Sequence, residues 1–217
     1  MPCMESDSCL SEKGLMPTIE EPRLFIFFKP RGMETTCTAG SDLKKYLDRG
    51  KLHPVGRLDR DTTGLLLLSS DGAITNSILH APIVKAYLAV VRGEVKVDLI
   101  RRVVREGVEL PDGHVDISRL EVVQDIPFGV IAYPLSSLPS NGCCAVRIST
   151  TCGRNRVVRR TLASLGHPVL LLHRESIGDI ALPPDARPGD PPRPLVSGLA
   201  IVDQEADVTF LKLVKAQ

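Results

Sequence analysis

Two stretches of the chain carry side chains able to do chemistry. The first reads His53-Pro54-Val55-Gly56-Arg57-Leu58-Asp59-Arg60-Asp61-Thr62-Thr63-Gly64 and runs straight into Leu65-Leu66-Leu67-Leu68. It sets Asp59 in a polar loop at the entrance of a wholly apolar strand. A sheet holds such a carboxylate rigidly at the edge of a cleft, where it serves as nucleophile or base. The plainer role is a loop aspartate that bonds its own backbone. The glycines lack the spacing of a phosphate-cradling loop, and no Gly-Lys-Ser/Thr follows them.

The second stretch runs from Arg147 to Arg174 and holds six arginines and no acidic residue. A solvated face mixes signs, so this run needs counter-charge from elsewhere. Arginine suits bidentate phosphate contacts and the pairing of a buried carboxylate. Two readings stand: contact with nucleic acid, or pairing with the acids of residues 98–125. Between the two stretches, Lys85-Ala86-Tyr87 heads a strand. Its tyrosine is either core or a ring on which a base stacks.

Other chemistries find no residues. The histidines at 53, 80, 114, 167 and 173 form no i, i+4 pair, and the cysteines at 3, 9, 37, 143, 144 and 152 form no Cys-x-x-Cys. No metal site is expected. There is no Gly-x-Ser-x-Gly elbow for a Ser-His-Asp hydrolase. A small-molecule α/β enzyme is therefore left without a nucleotide loop, metal set or triad.

These residues need elements to position them. Leu24 to Phe28 reads as a strand that stops at Lys29-Pro30-Arg31-Gly32. Ser41-Asp42 opens a short helix through Leu43, Tyr46 and Leu47, closed by Gly50. Leu65 to Leu68 is a buried strand, Ala73 to Leu79 a helix, and Ala86 to Val91 a strand. Leu99, Ile100, Val103 and Val104 have helical spacing behind Asp98 as a cap. Val115, Ile117, Val122-Val123 and Ala145 to Ile148 are strand material. Arg154 to Leu165 reads as a helix presenting Val158, Leu162 and Leu165, with Gly166 at its stop. Val169 to Leu172 follows as a strand, 183–194 is a proline-rich loop, and Leu199 to Val202 and Val208 to Leu213 are strand-like. Strands and helices come in mixed order, which predicts an α+β (α/β mixed) fold.

The chain has 217 residues, enough for one ordinary domain, with 43% hydrophobic and 24% charged residues, a globular composition. No apolar run reaches membrane-spanning length. Residues 1–22 carry five acids against one lysine, unlike a secretory or mitochondrial leader, and read as a disordered tail before a domain at 23–215. Cysteine usage fits reduced thiols in the cytoplasm or an organellar matrix. The formal net charge of +1 argues against general polyanion binding. It averages a tail at −4 with the arginine stretch at +6, so a local basic site remains.

In this order and near this spacing, the motifs resemble the RsuA-type pseudouridine synthases. They are Phe28-Lys29-Pro30-x-Gly32, Gly56-Arg57-Leu58-Asp59, Thr63-Gly64 with the leucine run, Asp71-Gly72, and Lys85-x-Tyr87. After these come Gly153-Arg154-Asn155-Arg156-x-Val158-Arg159-Arg160, Leu165-Gly166-His167-Pro168-Val169 and Arg174-x-x-Ile177-Gly178. Together they cover about residues 24–182. One such motif would be weak; the ordered set is specific.

The resemblance implies a mixed, mostly antiparallel sheet in two subdomains with a catalytic cleft between them. It implies isomerisation of a uridine in structured RNA, ribosomal RNA first and tRNA second, by a cofactor-free monomer away from membranes. Asp59 matches the family's catalytic aspartate, Tyr87 the aromatic packed on the target base, and Arg159 the arginine paired with that aspartate. Leu58 and Val158 match the base pocket, and Arg57 the arginine that helps displace the flipped base. Lys29, Lys85, Arg154, Arg156 and Arg160 are the expected RNA contacts. Burial disfavours an ionised carboxylate and a close guanidinium favours it, so Asp59 and Arg159 make sense together. The target must be flipped out of any helix, at a cost of a few kcal/mol. Cys152 and Val157 stand where the family usually has Glu and Gln. The N-terminal stretch is too short for the family's S4-type RNA-binding domain, so the resemblance is to shorter members. A catalytically inactive RNA-binding ribosome-assembly factor with the same fold is the alternative.

Overall fold

The computed structural model describes residues 23–124 and 142–195. The N-terminal tail, the two expected C-terminal strands and the end of the expected domain at 215 lie outside them.

The apolar run that follows Asp59 organises the molecule. Strands β1 (Leu24–Lys29), β2 (His53–Val55) and β3 (Thr62–Ser69) pair antiparallel, with β3 between the other two. Leu65 to Leu68 are all fully buried because both faces of β3 are covered. Leu65 and Leu67 pack with Ile74 and Ile78 of helix α2 (Gly72–His80). Leu66 and Leu68 pack on the other side with Leu43 and with Leu47 of α1 (Lys44–Leu47). A strand buried on two faces reads as continuous leucine rather than as alternation.

Strands β4 (Lys85–Arg92), β7 (Arg119–Val123), β8 (Cys143–Thr150) and β9 (Val169–Ile177) extend the same sheet. The order is β11-β1-β3-β9-β4-β8-β7, with β10 (Ile180–Ala181) on β9 and β11 (Arg193–Pro194) at the far edge. Every pairing is antiparallel except β3 with β9. A separate hairpin, β5 (Val108–Leu110) and β6 (Gly113–Val115), follows helix α3 (Val97–Glu106). It packs with α4 (Val157–Ser164), Val103, Leu120 and Ile148 into a second core beyond Tyr87. The fold is α+β with a mixed, mostly antiparallel sheet, as expected. One sheet runs through both halves, each half having its own apolar clusters.

Several boundaries moved. Helix α4 begins at Val157 rather than Arg154, because Arg156 takes a left-handed conformation with φ of 49°. Lys51, not Gly50, is the left-handed residue after the first helix. Asp98 lies in the first turn of α3 behind Lys96 at the cap position. Val104 is 42% exposed while Val103 is buried. Strand β2 escapes the pattern because Pro54 marks it as an edge strand. Among the described residues no helix is long and apolar enough to cross a membrane. Cys37, Cys143, Cys144 and Cys152 are free thiols.

Candidate active site

Asp59 sits in the loop between β2 and β3, and its neighbours fix that loop. Thr35 Oγ1 donates to the Leu58 carbonyl at 2.8 Å and accepts from the Leu58 amide at 3.2 Å. The Gly32 amide donates to the Arg60 carbonyl at 2.7 Å, and Arg60 Nε returns a bond to the Gly32 carbonyl at 3.1 Å. Gly32, with φ of 86°, makes the turn that brings the two segments together.

Lys29 belongs to this buttress and not to an RNA surface. Its side chain is fully buried, and its amine donates to the carbonyls of Pro30 at 2.9 Å and Arg60 at 3.5 Å. Burial lowers its pKa to about 8 against the opposing pull of Asp61 and Asp59. The expected RNA contact is corrected to an internal strut, a role that no spacing reveals.

Two arginines converge on Asp59. Arg156 Nη1 lies 3.3 Å and Arg159 Nε 3.6 Å from Asp59 Oδ2. Both also reach Asp61, Arg159 Nη2 at 3.0 Å and Arg156 Nη1 at 3.8 Å. Arg159 is held from behind by Thr62 Oγ1 at 3.2 Å and is itself buried. Burial lowers its pKa, opposed chiefly by Asp61. Asp61 and Thr62 escaped the sequence reading, although an acid two residues from Asp59 was a signal in plain view. The left-handed backbone of Arg156 costs about 1–3 kcal/mol, strain of the kind that collects at functional sites.

A cavity of about 220 Å³ opens beside Asp59, lined by Arg57, Leu58, Tyr87, Val158, Lys85 and Arg174 among others. Drug-sized ligands use roughly 300–1,000 Å³, so this one suits a single base. Tyr87 is 8% exposed, part of the core and part of the cavity wall, so its two readings merge. Leu58 and Val158 are buried along the same wall. Lys85 points its amine at the carbonyls of Ile83 and Thr151, and burial lowers its pKa. A wider groove next to the cavity is lined by Arg31, Arg57, Arg60, Arg154 and Arg156.

The arginine stretch is largely paired within the protein. Arg147 binds Glu175 at 2.7 Å and Glu121 at 3.0 Å. Arg154 binds Asp112 at 3.2 Å and donates to the carbonyls of Gly113 and His114, while Arg160 also pairs with Asp112. The acids of residues 98–125 thus take up three of the six arginines. In this arrangement Arg154 and Arg160, expected on RNA, clamp the β5–β6 hairpin. Among the described residues no cluster of His, Cys, Asp or Glu is placed to hold a metal.

A carboxylate gripped by two arginines thus stands beside a base-sized cavity in a mixed, mostly antiparallel sheet. Residues 23–164 match the family model described as RNA pseudouridylate synthase, and the chain belongs to that family. An uncharacterised RNA pseudouridine synthase of Mycobacterium tuberculosis is 39% identical over 164 residues, which are 71% of this chain and 59% of that protein. This chain therefore spans about three fifths of that relative. The ribosomal large subunit pseudouridine synthase B of Bacillus subtilis is 33% identical over 75% of this chain and 64% of its own length. A crystal structure of a pseudouridylate synthase superposes with a TM-score of 0.62 at 30% identity, covering 82% of this chain and 72% of the other.

Proposed function

We propose that the protein isomerises a uridine of RNA to pseudouridine, with Asp59 as the catalytic carboxylate. One observation carries the reading: Asp59, fixed by Arg156 and Arg159, faces the base-sized cavity that Tyr87 walls. The reaction exchanges a C1′–N1 bond for a C1′–C5 bond with no net redox change, so the site needs only a carboxylate, a base pocket and a means of flipping. Arg57, exposed at the cavity mouth, is placed to fill the gap left by the flipped base. Stacking on Tyr87 returns ~1–3 kcal/mol toward the flipping cost of a few kcal/mol. Large-subunit ribosomal RNA is the proposed substrate class, because the Bacillus relative is named for it. Arg31 and Arg57 hold the flanking phosphates, joined by Arg154 and Arg156 when RNA competes for their carboxylates.

Mapping pseudouridines in ribosomal and transfer RNA, with and without the gene, tests this. We expect one site to vanish and to return with wild type but not with Asp59→Asn, which still binds RNA. Full restoration by Asp59→Asn would overturn the mechanism. RNA binding with no site lost would favour the inactive assembly factor.

A further inference from the structure

Arg174 is a buried guanidinium that nothing above employs. It lies on β9, 4% exposed, and lines the cavity beside Asp59. Its Nε donates to the Leu65 carbonyl at 2.8 Å, but Nη2 is shut from solvent with no hydrogen-bond partner. The other five arginines of the stretch all have carboxylates; among the described residues Arg174 has none. A buried cation without a counter-charge is costly and calls for an anionic or strongly accepting partner.

The sheet places this charge deliberately. Lys29 pairs with Gly64, Gly64 with Arg174, and Arg174 with Tyr87, one row across β1, β3, β9 and β4. Gly64 adds no side chain, and a Cβ there would meet the Arg174 carbonyl oxygen at 2.3 Å, so β3 and β9 lie close. Repulsion from Arg174 adds to burial in lowering the pKa of both Lys29 and Lys85. Lys85 and Arg174 thus set positive charge along the cavity wall that Asp59 also lines. Because Arg174 lines the cavity, a base held there lies next to this buried charge, while the arginines of the outer groove lie outside it.

We propose that Arg174 stabilises the negative charge that gathers on the uracil ring as its bond to ribose breaks. This rests on the synthase reading above. When C1′–N1 breaks, its electron pair stays with the ring and spreads onto O2 and O4, and the Asp59 carboxylate balances the positive charge left at C1′ until C5 bonds there. After the ring turns, an electron pair at C5 forms the C5–C1′ bond, the C5 proton departs and N1 takes up a proton. Atoms and electrons balance without a further reactant. A fixed, buried guanidinium favours the ring anion over the neutral, bonded base, which is differential stabilisation of the step.

The test uses single-turnover pseudouridine formation on an unmodified large-subunit ribosomal RNA transcript, with Arg174→Met, Arg174→Gln and Arg174→Lys. We expect the first two to slow turnover at least tenfold with RNA Kd within twofold of wild type, and Arg174→Lys to keep part of the rate. A 6-azauridine substrate, whose ring carries negative charge more readily, should shrink the deficit. A second measurement needs no variant: 6-azauracil should bind wild type more tightly as pH rises through its ionisation. Wild-type rates in Arg174→Met or Arg174→Gln, an equal deficit on both substrates, or pH-independent 6-azauracil binding would each overturn the assignment while the synthase reading stands. A wild-type protein that forms no pseudouridine in any RNA sinks both.

Discussion

At the scale of single residues, polarity and burial meet in Asp59 and Tyr87 at the cavity and in His173 within the sheet beside Phe28 and Thr63. Tyr87 is core as well as wall, so its replacement must preserve volume to be informative. Tyr87→Phe is expected to keep most activity and Tyr87→Leu to lose roughly ten- to a hundredfold in kcat/KM, matching a stacking energy of ~1–3 kcal/mol. Steady-state kinetics on the mapped substrate checks this; equal losses in both variants would transfer the role to the hydroxyl. His173 is buried beside Phe28, bonded to Thr63 Oγ1 at 2.9 Å, and burial pushes its pKa down to about 4. Because the folded value lies below the unfolded one, the unfolded chain takes up a proton first as pH falls. Stability is therefore lost between about pH 6.5 and 4, by up to about 3 kcal/mol from this group. Urea titrations across that window should show a shallower decline in His173→Gln; parallel curves would refute it.

Elements carry the site through close backbone contacts that side-chain patterns do not announce. Gly64 has φ of 112° and lies against the backbone of Arg174 where β3 runs parallel to β9. Gly64→Ala adds backbone strain of about 1–3 kcal/mol and overpacking of about 1–3 kcal/mol. Chemical denaturation should show a loss of roughly 2–5 kcal/mol; a change below 1 kcal/mol would mean that the two strands separate freely. Helix α2 shows the opposite case, where the sequence said enough. Asp71 accepts from the amides of Ala73 at 2.7 Å and Ile74 at 3.3 Å, and these bonds lower its pKa. The helix expected from Ala73 to Leu79 is met by α2, and its Asp71 cap is seen in the structure. For α4 the same kind of reading overshot by a turn, because Arg156 spends its backbone on reaching Asp59.

Over the whole molecule, the near-zero net charge conceals a groove lined by five arginines beside the cavity. RNA affinity should fall steeply with salt, and Arg57→Ala should reduce the slope of log K against log salt by roughly 0.7 for single-stranded contacts. Filter binding at several salt concentrations checks this, and an unchanged slope would place the RNA elsewhere. The sequence by itself determined the mixed fold and the leucine strand, and the resemblance of its ordered motifs singled out Asp59 and Tyr87 as expectations. Local periodicity reports burial, and a polar loop against an apolar strand reports a held side chain. It also determined that the arginine stretch needed counter-charge. Only the tertiary structure decided where that charge comes from: Asp112 for Arg154 and Arg160, Glu121 and Glu175 for Arg147, Asp59 and Asp61 for Arg156 and Arg159. It alone buried Lys29 as a strut and left Arg174, in the cavity wall, with no carboxylate partner among the described residues. The physical reason is that burial and ion pairing depend on residues brought together across the sheet from far apart in the chain, and no local spacing encodes those distances.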